Sequence, residues 1–140
     1  MLRVLALDVG DKRIGLAVSD PLGLTAQGLE TYVRTGDDEK DGAYIRAVAE
    51  KYAPVRLLFG LPRNMDGSYG FQSEKVRAFA QTVLQGFKGE HAFYDERLTT
   101  VAAERALCEG ALDWRQRRKV VDKVAAVMIL QGYLATNPKL

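Results

Sequence analysis

The chain of 140 residues contains few of the side chains that form covalent or metal cross-links, with one cysteine, Cys108, and one histidine, His91. A lone cysteine excludes an intrachain disulfide and a zinc site made only of cysteines, and it suits a reducing compartment. No apolar run approaches the ~18 residues of a membrane span, and the first apolar run is too short for a signal peptide. We therefore expect a cytoplasmic protein without a membrane partner.

A large excess of charge of either sign is also absent. The chain has 20 Lys and Arg against 18 Asp and Glu, a formal net charge of +2. This total neither indicates nor excludes a protein that binds nucleic acid. The hydrophobic share of 47% and the charged share of 27% are typical of globular proteins and exclude disorder, collagen and a coiled coil. The length fits one domain over residues 1–140.

The hydrophobic pattern predicts an α/β domain with the element order βββαβαβαα. Three closely spaced strands imply an antiparallel meander, and the later alternation implies helices on both faces of a mixed five-stranded sheet. The helix at 37–51 begins with an acidic turn, which suits the positive end of a helix dipole. The predicted strands are 3–9, 14–18, 25–33, 55–61 and 91–94; the helices are 37–51, 69–85, one from Thr99 or Thr100 to Cys108, and one from Asp113 to about Ala135.

One aspartate ends an otherwise apolar strand. Asp8 shares a face of the first predicted strand with Val4 and Ala6, because side chains alternate along a strand. A helix is expected to cover this face, so a carboxylate there indicates a site. The structural alternative is a turn-forming aspartate two residues before Gly10.

A second carboxylate lies on the apolar side of the last predicted helix. Asp122 precedes Ala125 and Ala126 by one helical turn, and these small residues allow a close approach to the sheet. A carboxylate on a packing face is costly unless it is paired, hydrogen-bonded or bound to a metal. An ion pair with Arg118 or Lys119 is the structural alternative.

A third acidic position follows the last predicted strand. Asp95 and Glu96 lie where the carboxyl ends of strands form sites in α/β sheets, although a loop cluster of acids is the simpler interpretation. If one of them meets Asp8 and Asp122, the oxygen ligands suit Mg²⁺ or Mn²⁺. Such ions could activate a water for phosphodiester hydrolysis. His91, at a strand start, is better explained as structural.

Four blocks of sequence, in order along the chain, resemble the YqgF/RuvX family. The blocks are LDVGDKRIGLAVSD at 7–20, GLP at 60–62 with NMDGS at 64–68, DERLTT at 95–100, and Asp122 with Ala125, Ala126 and ILQ at 129–131. The resemblance implies a ribonuclease H-like fold, which Holliday junction resolvases share. It also implies a metal-dependent nuclease that matures the 5′ end of 16S ribosomal RNA or acts on branched DNA.

The same resemblance implies the roles of the acids. Asp8, Glu96 and Asp122 would be the catalytic acids and would hold Mg²⁺ or Mn²⁺, with Asp95 as a near neighbour. The chain departs from related resolvases at the strand after the first helix, which carries their second acid but here ends Phe59-Gly60-Leu61-Pro62. Glu96 is expected two strands from Asp8, roughly 10 Å between backbones, so a site with one metal is an alternative to two.

Basic and polar residues near these acids are candidates for binding the substrate. Lys12 and Arg13 lie in the first turn, Asn64 begins a turn that leads to a helix start, and Arg97 steers substrate or pairs with Asp95. Between 111 and 123, five basic residues outnumber two acidic ones, and Trp114 could stack on a base. A solvated helix face is the alternative for this segment. Its candidate contacts are Arg117, Arg118 and Lys119.

Two other functions remain open. A non-catalytic RNA-binding factor in ribosome assembly would use the same surface, and its binding would be sensitive to salt. The Asp8-Val9-Gly10 block also resembles the first phosphate loop of actin-like sugar kinases and chaperone ATPases. Those proteins bind ATP between two domains, and 140 residues supply only one. For the oligomeric state we expect a monomer or a homodimer.

Overall fold

A computed structural model describes residues 2–61, 70–95 and 114–136, and it describes their side chains except at 71, 114–123 and 136. The elements follow the predicted order closely. The strands are β1 (Arg3–Val9), β2 (Arg13–Ser19), β3 (Ala26–Gly28), β4 (Tyr32–Val33), β5 (Val55–Leu61) and β6 (His91–Asp95); the helices are α1 (Asp38–Lys51), α2 (Phe71–Leu84) and α3 (Trp114–Thr136).

The prediction of one strand over 25–33 is wrong. This segment forms β3 and β4, which pair with opposite ends of β2, so the sheet has six strands instead of five. The residues of β3, Ala26-Gln27-Gly28, have low strand propensity, which accounts for the early end of this strand. The predicted helix ending at Cys108 lies outside the described residues.

The sheet is mixed, as predicted, with the strand order β3-β2-β1-β5-β6 and β4 beside β2. The first hairpin is antiparallel, whereas β1, β5 and β6 run parallel to one another. The carboxyl ends of β1, β5 and β6 therefore lie at one edge of the sheet. Since β5 lies between β1 and β6, the two outer strands are ~10 Å apart.

Helices cover both faces of the sheet, and the two faces have separate hydrophobic cores. Leu5 and Leu7 of β1 pack with α1 and α2, and we call this side the α1/α2 face. Val4 and Ala6, which alternate with them, pack with α3 on the other side, the α3 face. Within the described ranges no helix is long and apolar enough to cross a membrane.

Candidate active site

Asp8 lies on the α3 face near the carboxyl end of β1, as the alternation predicts. Its Cα partner in β2 is Gly15, and continuing the Leu7–Phe59 pairing by one residue sets Gly60 of β5 on its other side. Neither glycine has a side chain, and both are buried, so no side chain of β2 or β5 stands directly beside the half-buried carboxylate on this face. In the two adjoining strands the neighbours of Asp8 at this level are therefore backbone alone.

The β1–β2 turn adjoins this carboxylate and carries two of the predicted basic residues. The Gly10 amide donates to the Arg13 carbonyl at 2.8 Å, and a Cβ at Gly10 would lie 2.8 Å from the same oxygen, so the turn requires glycine. Lys12 is exposed at the turn. Arg13 is half-buried and lies on the same sheet face as Gly15, hence on the face of Asp8.

Arg34, which the sequence interpretation did not single out, contacts this turn from the chain that follows β4. Its Nη1 donates to the Gly10 carbonyl at 2.8 Å, and its backbone amide donates to the Lys12 carbonyl at 2.8 Å. The other guanidinium nitrogens bind α1, with Nε on Asp41 at 3.0 Å and Nη2 on Asp38 at 2.8 Å. One arginine therefore joins the turn to helix α1.

Asp41 is fully buried and binds the guanidinium of Arg34. Its carboxylate accepts four hydrogen bonds of 2.9–3.0 Å. The donors are the Tyr32 hydroxyl, the Arg34 Nε, and the amide and hydroxyl of Thr35. Burial raises the pKa of Asp41, but the hydrogen bonds from Thr35, Arg34 and Tyr32 outweigh it and hold this pKa below its ordinary value. The carboxylate is therefore charged at neutral pH.

The predicted role of an acidic first turn, to complement the helix dipole, fits Asp37 but does not describe Asp41. Asp37 is the N-cap of α1 and accepts from the Glu39 amide at 2.9 Å. Asp38 and Asp41 are three residues apart in α1, so they share one side of the helix, and the hydrogen bonds show that this side faces Arg34.

The alternation of side chains along β6 bears on the choice between Asp95 and Glu96, which the sequence left open. Tyr94 packs in the core of the α3 face, whereas Phe93 contacts Phe59 of the α1/α2 face with ring centroids 5.6 Å apart. By alternation Asp95, opposite Leu61, belongs to the face of Phe93 and not to the face of Asp8. Glu96 lies outside the described residues.

The direction of α3 relates its first half to the Asp8 end of β1. The Tyr133 hydroxyl, late in α3, accepts from Nη1 of Arg56 at 2.8 Å, and Arg56 is near the start of β5. The C-terminal end of α3 is therefore at the amino edge of the parallel strands, so α3 begins toward the carboxyl edge. The backbone of Asp122 lies one turn before the buried Ala125 and Ala126, on the side of Asp8.

Several predicted site residues have no described side chain. Among the described side chains, no three His, Cys, Asp or Glu residues lie close enough to share a metal ion. Only Asp8 of the three predicted metal ligands belongs to that set. For three predicted site residues neither backbone nor side chain is described, namely Glu96, Asn64 and Arg97. For four others only the α3 backbone is described, namely Asp122, Arg117, Arg118 and Lys119.

The fold is that of a ribonuclease H-like protein, as the resemblance implied. The structure of T. thermophilus RuvC in complex with a Holliday junction substrate matches this chain with a TM-score of 0.53 at 16% sequence identity. The match covers 97% of this chain and 96% of RuvC. This likeness defines the fold class.

Sequence comparisons define the family. A profile of the RuvX family, described as Holliday junction resolvase, matches residues 2–136. A relative from Clostridium acetobutylicum is 50% identical over 133 residues, covering 95% of this chain and 98% of the relative. One from Clostridium botulinum (strain Hall) is 49% identical over 138 residues, covering 99% and 100%. Both are named as candidate pre-16S rRNA nucleases.

The chain belongs to the RuvX family. This membership confirms the class of enzyme predicted from the four sequence blocks, a hydrolytic nuclease, and with it the class of partner, a nucleic acid.

Proposed function

We propose that the protein, as a single nuclease domain, hydrolyses phosphodiester bonds at the 5′ end of precursor 16S rRNA, with Asp8, Glu96 and Asp122 as its catalytic acids. The position of Asp8 carries the proposal, since its carboxylate lies at the carboxyl end of a central strand between two glycines, on the face that α3 covers. The names of the Clostridium relatives support this substrate. A ribosomal RNA substrate would be met in the cytoplasm.

The faces of β6 favour Glu96 over Asp95 as the second acid. The even-numbered residues Ala92 and Tyr94 pack on the α3 side, and Glu96 continues this series in the sequence. Asp95 belongs to the odd-numbered series of Phe93. We therefore propose Asp95 as a neighbour of the site that does not bind the metal.

The proposed donor set fits Mg²⁺ or Mn²⁺, because carboxylate oxygens are the ligands that these hard cations prefer. Asp8, Glu96 and Asp122 would hold one or two ions. When bound, such an ion lowers the pKa of a water and offsets charge on the scissile phosphate. Because Gly15 and Gly60 add no side chains beside Asp8, the adjoining strands themselves do not obstruct such a group.

Basic residues around the acids are proposed to hold the nucleic-acid backbone. Lys12 is exposed on the turn beside Asp8, and Arg13 lies on the same sheet face as Asp8. Phosphate contacts of this kind position a substrate without reading its sequence. From the parts of the chain without described side chains we propose Asn64, Arg97, Arg117, Arg118 and Lys119.

Cleavage assays with an Asp8 variant test the proposed function. The wild-type protein with Mg²⁺ or Mn²⁺ is expected to cut a labelled RNA that spans the 5′ end of mature 16S rRNA. Asp8→Asn keeps the size of the side chain but removes the charge, and we expect the rate to fall at least ~100-fold. The exposed Glu50→Gln on α1 is the matched control and should cleave like wild type.

Branched DNA is the second candidate substrate, favoured by the family description and the likeness to RuvC. A four-way DNA junction in the same assay separates the two, since faster cleavage of the junction would replace the RNA proposal. A specific feature favours a non-catalytic RNA-binding factor, because β5 carries no acid near Gly60. RNA binding that persists in EDTA, with no cleavage under either metal, would establish that function instead.

A further inference from the structure

We propose that Arg34 is a positioning residue for the active site, which holds the β1–β2 turn so that Asp8 and Lys12 keep the geometry needed for cleavage. This inference rests on the proposed role of Asp8. Arg34 is not among the predicted site residues, lies in the chain between β4 and α1, and belongs to none of the four sequence blocks.

The turn has few means of holding its own shape. Gly10, Asp11 and Lys12 connect β1 to β2, and the hydrogen bond from the Gly10 amide to the Arg13 carbonyl at 2.8 Å closes this loop. Short hairpin loops usually contain a residue with positive φ, because this conformation suits the twist of the flanking strands. None of these three residues has positive φ, since among the described residues only Gly23 and Gly36 do.

Arg34 holds the turn at both ends of this loop. Its side chain donates to the carbonyl of Gly10, the first residue of the loop, and its backbone amide donates to the carbonyl of Lys12, the last. An exposed ion pair between Asp11 and Lys75 of α2, at 3.2 Å, adds a weaker contact. The Gly10 carbonyl is two residues from Asp8, so a shift at this contact is transmitted along β1 to the carboxylate.

The guanidinium is itself held rigidly. Arg34 is 13% exposed, its Nε and Nη2 are fixed on Asp41 and Asp38, and its Cζ lies 4.6 Å from the centroid of the Phe79 ring. Asp41 is fixed in turn by Tyr32 and Thr35. A planar guanidinium with three anchored nitrogens can orient the turn, whereas an ammonium group cannot bind all of these partners at once.

Two variants separate positioning of the turn from stabilisation of the fold. Arg34→Lys keeps the charge next to Asp41 but cannot bind Asp41, Asp38 and Gly10 together. Tyr32→Phe is the matched control, because it also removes one hydrogen bond from Asp41 yet leaves the contact between Arg34 and Gly10 intact. Each variant is compared with wild type at a temperature where circular dichroism shows it fully folded.

The first readout divides the effect on cleavage between kcat and KM. We expect Arg34→Lys to lower kcat by about 10- to 100-fold with a smaller change in KM, as for other residues that orient a catalytic group. Tyr32→Phe should leave kcat within about twofold of wild type. Equal kcat in wild type and Arg34→Lys would overturn the proposal, as would equal losses in the two variants. An Arg34→Lys protein that is unfolded at every temperature would also overturn it.

The second readout does not depend on cleavage. Mn²⁺ affinity, measured from the spin-resonance signal of free Mn²⁺, should weaken about tenfold in Arg34→Lys and stay unchanged in Tyr32→Phe. If the wild-type protein binds Mn²⁺ with this dependence on Arg34 but cuts no nucleic acid, the proposed cleavage is refuted and the proposed role of Arg34 in positioning the turn is retained. A wild-type protein that cuts RNA while Arg34→Lys changes neither readout would refute only the positioning role.

Discussion

Asp41 is a buried charge that serves the fold instead of the reaction. All of its hydrogen-bond donors come from residues 32–35, so its carboxylate fixes the path of the chain from β4 into α1. A buried carboxylate is tolerated only with such complete pairing, because an unpaired one would lose its hydration without compensation. Its contribution to folding should therefore depend on its charge.

We predict that Asp41→Asn lowers the free energy of unfolding by about 2–4 kcal/mol at pH 7, because the Arg34 charge loses its buried partner. Folding lowers the pKa of Asp41, so its charged carboxylate stabilises the folded protein. This contribution is complete at pH values above the pKa of an unfolded aspartate, about 4, and is lost as the pH falls through the lower pKa of the folded state. Urea unfolding of both proteins from pH 7 to pH 2 should therefore give curves that converge at low pH. A constant difference across this range would contradict the charge-based account; exposed Asp38→Asn is the control and should cost less than ~1 kcal/mol.

The sheet face of Asp8 could be predicted from the sequence, whereas the contacts of Arg34 and Asp41 could not, for a physical reason. Asp8 interrupts an apolar strand, and strand alternation alone assigns its face. The network of Arg34 forms between segments whose charges look ordinary for a loop and a helix start, and its role depends on the contact with Gly10, 24 residues away. Such a contact has no periodicity for a sequence pattern to detect.

At the scale of elements, the packing of α3 on β6 depends on one glycine. The ring of Tyr94 lies against Gly132 of α3 and meets Tyr133 edge-on, with centroids 6.5 Å apart. A Cβ at Gly132 would overlap the Tyr94 hydroxyl and lie 3.0 Å from the ring carbon Cζ. A side chain at position 132 would therefore displace the Tyr94 ring from its present place against α3.

We predict that Gly132→Ala lowers the free energy of unfolding by about 1–3 kcal/mol, despite the better helix propensity of alanine, because the tyrosine ring must move. Tyr94→Phe removes the overlapping oxygen, so the double variant should recover part of the loss. A double-mutant cycle with urea unfolding measures this coupling. Ala135, exposed on the same helix, provides the control site, and Ala135→Gly should cost ~1 kcal/mol through propensity alone. Additive effects of Gly132→Ala and Tyr94→Phe would contradict the steric account.

The elements themselves were largely predictable, because the central strands and the helices carry strong apolar patterns. β1 and β5 have the predicted bounds, and α1 differs only in that Asp37 caps the helix. The segment 25–33 was assigned wrongly, since its alternation is weak and its break depends on how β2 pairs with both halves. Edge strands owe their length to their partner more than to their own sequence.

At the scale of the whole molecule, the order of the strands explains why the predicted acids could be assigned to one edge. A parallel arrangement of β1, β5 and β6 brings their carboxyl ends together whatever the loops between them do. The choice of substrate has no comparable determinant in the fold, because the sheet and its helices are common to nucleases of RNA and of DNA. The basic residues proposed to contact the substrate, such as Lys12 of the β1–β2 turn and Arg117 of α3, are not part of the sheet.

The packing of α3 across β1 and β2 has a consequence for the timing of activity. Asp8 and Asp122 belong to the first strand and the last described helix, so the proposed site joins residues from opposite ends of the described chain. Contacts so distant in sequence form late in folding, because their loop-closure entropy is repaid only after the sheet exists. During refolding from urea, we predict that cleavage activity returns with the slowest phase, after most of the circular dichroism signal. A partly folded chain would thus be harmless to the RNA around it, and recovery of activity in the earliest phase would contradict this order of events.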